Sequence, residues 1–112
     1  MINGFEEITY NLTQYEKTLV KPMVLGLKSK IGSDSAIKNK EMVKALKEKG
    51  YKINEARLRK LINYIRVHKL IKNLISTNKG YYIAETDKEV KDYIESLTQR
   101  INEITRVRNS FL

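Results

Sequence analysis

Residues 53–69 read INEARLRKLINYIRVHK, and this stretch decides how the chain is organised. At about 100° per residue, one face of a helix collects the apolar side chains Leu58, Leu61, Ile62 and Ile65. Asn54 is the expected N-cap, because its side-chain oxygen can accept a hydrogen bond from a free amide of the first turn. The sequence therefore predicts an amphipathic helix over residues 54–69, apolar on one face and basic on the other.

The positive charge of the chain is concentrated in and around this helix. The 112 residues carry a formal net charge of +9, and residues 51–80 hold eight Lys or Arg and one acid, a net charge of +7. Charge that serves solubility alone is usually mixed in sign and spread over the surface. A concentrated patch of one sign is typical of a protein that binds a polyanion. We therefore expect a nucleic-acid partner, with a merely solvated basic helix face as the alternative.

The composition excludes several classes of protein. The length suits one compact domain with one core. The chain has no Cys, which excludes disulfides, thiolate catalysis and Cys-based zinc sites and fits a reducing cytosol. No apolar run approaches the roughly 20 residues of a membrane span, and the N-terminus lacks the pattern of a signal peptide. We expect no membrane partner.

Two further helices are predicted before the basic helix. A capping-box pattern at Thr13 begins the first helix, which Pro22 should bend or restart and which should end near Gly32. Asn39 is expected to cap the second helix, and Gly50 to end it. A tight connection then leads into the basic helix. This is the helix-turn-helix layout, in which the second helix of the pair enters the major groove.

After the basic helix the apolar pattern changes to that of strands. Residues 70–77 and 81–85 read as two short strands, and residues 78–80, Asn-Lys-Gly, form the turn between them. Tyr81 and Tyr82 should face opposite sides of the hairpin. We expect one of them in the core and the other at a phosphate or at the surface.

Three segments carry a resemblance to a known family: residues 36–43 (AIKNKEMV) for a short strand and the second helix, residues 57–66 (RLRKLINYIR) for the recognition helix, and residues 74–84 (LISTNKGYYIA) for the wing. On these segments, residues 12–85 resemble a winged helix-turn-helix domain. The whole chain resembles small winged-helix proteins encoded by bacteriophages. The resemblance implies binding of duplex DNA, usually as a dimer, although the family also includes modules that bind only proteins.

The remaining segments lie at the two ends. Residues 1–11 form a lead-in, whose apolar side chains could pack on the body or form a short strand. Residues 86–112 begin with a second capping box at Thr86 and predict a C-terminal helix. An apolar stripe with alternating spacings of four and three runs along it: Val90, Ile94, Leu97, Ile101 and Ile104. We expect this helix to form a homodimer, and the alternative is that its first half packs on its own domain.

The sequence contains no recognisable catalytic constellation. His68 is the only histidine, and its place near a helix end suits a positive charge rather than catalysis. A metal-dependent nuclease would need converging acids, but the basic stretch holds only Glu55. No glycine-rich loop is present to hold a phosphate group. We therefore expect no enzyme, no cofactor and no metal, and a small nuclease or nuclease accessory is the third choice.

The sequence thus predicts a mainly α chain with a small β-hairpin, of the α+β class, that binds duplex DNA. Its resemblance to bacteriophage winged-helix proteins implies a phage-encoded regulator of transcription or replication in the bacterial host cytoplasm, associated with the nucleoid. The principal alternative is a protein-interaction module that binds a host factor through its basic face. Candidates for contacts to base edges are Arg59, Lys60 and Asn63. Candidates for contacts to phosphates are Lys38, Asn39, Lys40, Arg57, Tyr64, Arg66, Lys69, Lys72 and Lys79.

Overall fold

The computed structural model describes residues 11–112, so the expectations for the lead-in up to residue 10 lie outside the described residues. The elements follow in the order α1 (Gln14–Leu27), a 3-10 turn (Ser33–Ser35), α2 (Asn39–Glu48), α3 (Glu55–Val67), β1 (Leu74–Thr77), β2 (Gly80–Ile83) and α4 (Asp87–Asn109). The described chain is therefore mainly helical with one antiparallel hairpin and a long C-terminal helix. The predicted α+β class is confirmed.

Three predicted helix starts are confirmed by their hydrogen bonds, among them the start of α4, where the Thr86 hydroxyl accepts from the Glu89 amide at 3.2 Å. The Thr13 hydroxyl accepts from the Glu16 amide at 3.1 Å, and the Glu16 carboxylate accepts from the Thr13 amide at 2.8 Å. At the start of α3, the Asn54 side chain accepts from the Arg57 amide at 2.8 Å. Each bond satisfies a backbone donor that has no partner within the helix. The polar residues at these positions therefore set where α1, α3 and α4 begin.

The predicted cap of the second helix is wrong by one residue. Lys38, not Asn39, is the N-cap of α2, and Asn39 is the first helical residue. The Lys38 amide donates to the Glu41 carboxylate at 2.9 Å, which satisfies the backbone without an Asn side chain. The Asn39 side chain is thereby left to bind other elements.

The first helix also differs from its prediction. It continues through Pro22 and ends at Leu27, five residues before Gly32. Beyond its end, the Gly32 amide donates to the Ile83 carbonyl at 2.9 Å, and the Ile83 amide donates to the Lys30 carbonyl at 2.7 Å. Because these backbone groups pair with β2, they cannot also continue the helix. The connection after α1 therefore forms part of the edge of the small sheet.

The hairpin is shorter than predicted, and its turn occupies residues 78–79 rather than 78–80, because Gly80 already pairs with Thr77. Its first strand begins at Leu74 rather than at residue 70, because Lys69 and Asn73 have left-handed backbones with φ of 55° and 62°. The second strand begins at Gly80, where φ is 122° and a Cβ atom would overlap the Ile37 carbonyl. Glycine is thus required where the hairpin meets the connection between α1 and α2.

In the connection between α1 and α2, the short strand predicted around residues 36–37 is reduced to a single β-bridge. Ile37 pairs with Tyr81 in an isolated antiparallel bridge. The Ile37 amide donates to the Tyr81 carbonyl at 3.0 Å, and the Tyr81 amide donates to the Ile37 carbonyl at 2.8 Å. Both backbone groups of each residue are thereby satisfied. This bridge fixes the hairpin against the N-terminal end of α2.

One hydrophobic core lies where α1, α2, α3 and the hairpin meet. The predicted apolar face of α3 is fully or almost fully buried in it, which confirms the helix phase. The core consists of Leu19, Met23, Leu27, Met42, Val43, Leu46, Ile53, Leu58, Leu61, Ile62, Ile65, Ile71, Leu74 and Tyr81. Burial of this surface is the main favourable contribution to folding.

Both hairpin tyrosines are buried, so the expectation that one reaches the surface is wrong. Tyr81 belongs to the core, and Tyr82 is only 5% exposed although it faces the other way. Tyr82 pairs in register with Ile75, and Tyr93 of α4 lies against the same face of the hairpin. The first half of α4 therefore covers the outer face of the hairpin. Within residues 11–112, no helix has a stretch long and apolar enough to cross a lipid bilayer.

We expect Leu61→Ala to lower the free energy of unfolding by about 2–5 kcal/mol, through lost burial and an unfilled cavity. Leu61 is 0% exposed, whereas Val67 on the opposite face of α3 is 68% exposed. The matched control Val67→Ala should therefore change stability by less than about 0.5 kcal/mol. Urea unfolding of both variants measures the difference. Equal losses in the two variants would contradict the burial pattern of α3.

Candidate nucleic-acid interface

A cleft of about 430 Å³ separates α3 from the hairpin, and the start of α2 and the middle of α4 complete its walls. Its lining residues are Lys38, Asn39, Arg59, Ile62, Asn63, Arg66, Ser76, Thr77, Asn78, Gly80, Tyr81, Tyr93 and Arg100. Four separate elements therefore supply polar side chains to one concave surface. Two of the three predicted base-contact residues, Arg59 and Asn63, lie in it.

The lining of this cleft is positively charged. It contains four cationic side chains, Lys38, Arg59, Arg66 and Arg100, and no Asp or Glu is among its described lining residues. A neighbouring groove, between the hairpin and α4, contains Glu89 and Asp92 beside Arg100. The cleft thus brings cations from α2, α3 and α4 together, and the groove lined by Arg66, Lys69 and Lys72 likewise has no acid among its described lining residues. A concave surface of one sign concentrates its field and attracts ligands of the opposite charge.

Arg66 is fixed within the cleft by protein groups. Its Nε donates to the Leu74 carbonyl at 3.0 Å, a terminal nitrogen donates to the Ser76 hydroxyl, and its guanidinium lies 5.5 Å from the centre of the Tyr93 ring. Burial lowers the pKa of the Arg66 guanidinium, and Tyr93 and Tyr81 partly oppose this effect. An arginine remains protonated at neutral pH even so. Arg66 therefore contributes charge to the cleft while it links α3 to β1 and α4.

Asn39 has a similar linking role at the start of α2. Its side-chain amide donates to the Tyr81 hydroxyl at 2.9 Å and to the Glu55 carbonyl at 3.3 Å. These bonds join α2 to the hairpin and to the first turn of α3. The predicted phosphate contact at Asn39 would have to coexist with this framework, whereas Lys38 beside it is exposed.

Lys60 and Arg57 are held on a different side of α3 by one buried carboxylate. Glu16 accepts from Lys60 Nζ at 2.6 Å and from Arg57 Nε at 3.3 Å, and Lys60 also donates to the Asn11 carbonyl at 3.1 Å. The Lys60 side chain is only 13% exposed, so the prediction of an open position is wrong. The reason is that α1 begins opposite this face of α3, and the sequence did not reveal that contact.

The ion pairs determine the protonation of Glu16. Burial raises the pKa of the Glu16 carboxyl, but the Lys60 hydrogen bond, the Thr13 amide and the charges of Lys60 and Arg57 outweigh it. The pKa of Glu16 therefore lies below its ordinary value of 4.5. Because the folded-state pKa is depressed, this group stabilises the fold above its unfolded pKa. The stabilisation is lost as the pH falls through the folded-state pKa.

The other predicted phosphate contacts do not converge on the cleft. Tyr64 stacks on His68, with ring centres 4.0 Å apart. Lys69 and Lys72 line a groove on the far side of the hairpin, next to Val90 of α4. Lys40, at the start of α2, and Lys79, at the turn of the hairpin, are exposed.

Sequence reasoning missed the side chains that complete the cleft. Arg100 and Tyr93 come from α4, which the sequence assigned to a dimer contact or to packing on its own domain, whereas Thr77 ends β1 and Asn78 lies in the hairpin turn. A polar residue in a turn is only a weak sequence signal that the residue lines a binding site. No local signal identifies Arg100, because its approach to α3 depends on how α4 packs on the hairpin.

Comparisons with protein-family models, curated proteins and solved structures found no match to this chain. Among residues 11–112, no cluster of three or more His, Cys, Asp or Glu side chains is placed to hold a metal ion. The function must therefore be argued from the cleft itself.

Replacement of Lys60 by Ala should lower the free energy of unfolding by about 1–3 kcal/mol at pH 7, because the buried Glu16 carboxylate loses its closest donor. That loss should shrink as the pH falls below 4.5 and through the lower pKa of Glu16 in the folded state, where the buried carboxyl becomes protonated. Urea unfolding between pH 3 and pH 7 tests both statements. The control Lys44→Ala, at an exposed position of α2, should change stability by less than about 0.5 kcal/mol at every pH.

Proposed function

We propose that this protein binds duplex DNA, with α3 in the major groove and the hairpin beside it as the wing of a winged helix-turn-helix domain. The observation that carries the proposal is the cleft between α3 and the hairpin, which has four cations and no acid among its described lining residues. Phosphate groups are the natural partners of such a surface, because they supply affinity through charge neutralisation. The +7 charge of residues 51–80 supports the same ligand.

The shape of α3 supports a duplex rather than an isolated anion. An α-helix with side chains is about 10–12 Å in diameter and matches the major groove, which is about 12 Å wide. The exposed crest of α3 carries Ala56, Arg59 and Val67, with Asn63 half-exposed beside them. Small and apolar residues at the crest allow close approach to the base edges. Arg59 can bind guanine through two hydrogen bonds, and Asn63 can bind adenine in the same way.

The contacts of Lys60 change which basic residues we expect to contact DNA. Lys60 and Arg57 neutralise Glu16, so they are weaker candidates for DNA contact than the sequence suggested. Arg100 takes their place, since it projects from α4 into the same cleft as Arg59. Lys38 at the start of α2 and Lys79 at the hairpin turn are exposed on either side and would bind phosphates.

By occupying a DNA site, this small protein would keep other proteins from that site. We therefore propose that it regulates transcription or replication. A phage-encoded regulator that binds DNA would act in the cytoplasm of the bacterial host. The regulatory role and the cytoplasmic location are inferred from the resemblance to winged-helix proteins and from the cleft. Both depend on the proposal that the protein binds DNA.

The first test compares two arginines of α4. Arg100→Ala should weaken binding to a labelled duplex and flatten the slope of log affinity against log salt by about 0.9, the value of one lost phosphate contact. The matched control is Arg106→Ala, which removes the same charge from the same helix but lies outside the cleft and pairs with Glu103. Fluorescence anisotropy over a range of salt concentrations measures both slopes.

Equal slopes for the two variants would contradict a cleft-centred site, because only the overall charge would then matter. A wild-type protein that binds no duplex at low salt, yet captures an acidic host protein, would support the protein-interaction alternative instead.

The second test separates the reading of bases from the binding of phosphates. Asn63→Ala should change the base preference at one position of a consensus selected from random duplexes, at about 1–3 kcal/mol of lost discrimination. Lys79→Ala should leave the consensus unchanged and only reduce the salt slope. Selection and sequencing with both variants provide the measurement. An unchanged consensus with Asn63→Ala would remove α3 from the role of recognition helix.

A further inference from the structure

The apolar stripe of α4 is a second surface that is suited to binding a partner. Val90 and Tyr93 lie against the hairpin, so the first turns of α4 are anchored to its own domain. Beyond them the stripe is exposed at Ile94 (56%), Leu97 (37%) and Ile101 (62%), whereas Ile104 is half-buried. None of the residues of α4 is buried by the rest of residues 11–112. Contiguous apolar surface on a folded chain is often an interaction site.

We propose that this stripe pairs with the α4 stripe of a second copy of the chain, and that the two helices run antiparallel. The pairing set consists of Ile94, Leu97, Ile101 and Ile104. Their spacings of three, four and three residues read the same in both directions. An antiparallel copy therefore meets the stripe in register, with Ile94 opposite the second copy's Ile104 and Leu97 opposite its Ile101. This arrangement has the two-fold symmetry of the commonest homo-oligomers.

The spacing alone would also allow a parallel pair, and the charges of α4 decide between the two orientations. Residues 87–96 carry four acids and two lysines, a net charge of −2, whereas residues 97–109 carry three arginines and one acid, a net charge of +2. A parallel pair would place like-charged halves side by side. An antiparallel pair places each acidic half beside a basic half and also aligns the helix dipoles favourably.

The position of the anchored half favours the same orientation. Because the start of α4 packs on its own hairpin, the later turns project away from their own domain and are free to reach the second copy. In an antiparallel pair, these later turns lie against the first half of the second copy's α4. In each copy, the first half of α4 thus contacts the later turns of the other copy's α4.

Single cysteines report the orientation directly, since the natural chain contains none. In the antiparallel pair, the two copies of residue 94 lie about 15 Å apart along the helix axis, which exceeds the roughly 7 Å that a disulfide can bridge between Cα atoms. Ile94→Cys alone and Ile104→Cys alone should therefore give little covalent dimer under mild oxidation. An equal mixture of the two, with one variant labelled with ¹⁵N, should give the mixed disulfide as the main dimer by mass spectrometry.

A control cysteine defines the background of this experiment. Gln99 is exposed and lies on the face of α4 opposite the stripe, so Gln99→Cys should give little disulfide alone or with either variant. Efficient disulfide formation by Ile94→Cys alone would overturn the antiparallel orientation in favour of a parallel pair.

Sedimentation equilibrium of the unmodified chain tests the pairing itself and needs no DNA, so its result is independent of the proposed function. The wild type should have the mass of two chains at micromolar concentration. Ile101→Asp should have the mass of one chain and keep its helical circular dichroism, because Ile101 is exposed and outside the core. Gln99→Asp, with the same change of charge on the opposite face, should remain a dimer. A single-chain mass for the wild type would overturn the proposal.

Discussion

The burial of one face of α3 is the constraint on which the rest of the structure depends. Leu58, Leu61, Ile62 and Ile65 are each 0–1% exposed, and their contacts with the core fix the rotation of the helix about its axis. That rotation turns Arg59 and Asn63 towards the hairpin. A different rotation would expose apolar groups to water, at about 25 cal/mol per Å². The hydrophobic core therefore decides which polar side chains are presented together.

A charged interaction on the other side of α3 limits which of its cations can act. Glu16 is almost completely buried at the start of α1 and is bound by Lys60 and Arg57. A buried carboxylate without these partners would be strongly destabilising, so the two cations serve the fold first. The basic face of the helix is thus divided, with Lys60 and Arg57 serving stability and Arg59 lying in the cleft. A count of charges along the sequence cannot distinguish the cations that bind Glu16 from the cation that lies in the cleft.

Helix α4 contributes to both surfaces that we propose to be functional. Its first half lies beside Tyr82 and Ile75 of the hairpin, and Arg100 lines the cleft. Ile94, Leu97 and Ile101 of its apolar stripe are exposed. If two copies pair through this stripe, the two clefts become related by a two-fold axis, which is the arrangement expected for paired half-sites on DNA. The orientation of α4 would then set the separation of those half-sites.

Sequence alone determined the features that depend on neighbouring residues: the phase of α3, the caps at Thr13, Asn54 and Thr86, the turn of the hairpin and the concentration of positive charge. Each of these follows from local periodicity or from hydrogen bonds across three or four residues. Tertiary structure alone decided that Lys60 binds Glu16, that Arg100 joins the cleft and that Tyr82 is buried. Lys60 and Glu16, for example, are 44 positions apart in the chain. Only the packing of whole helices against one another brings such residues together, because no local pattern encodes the distance between them.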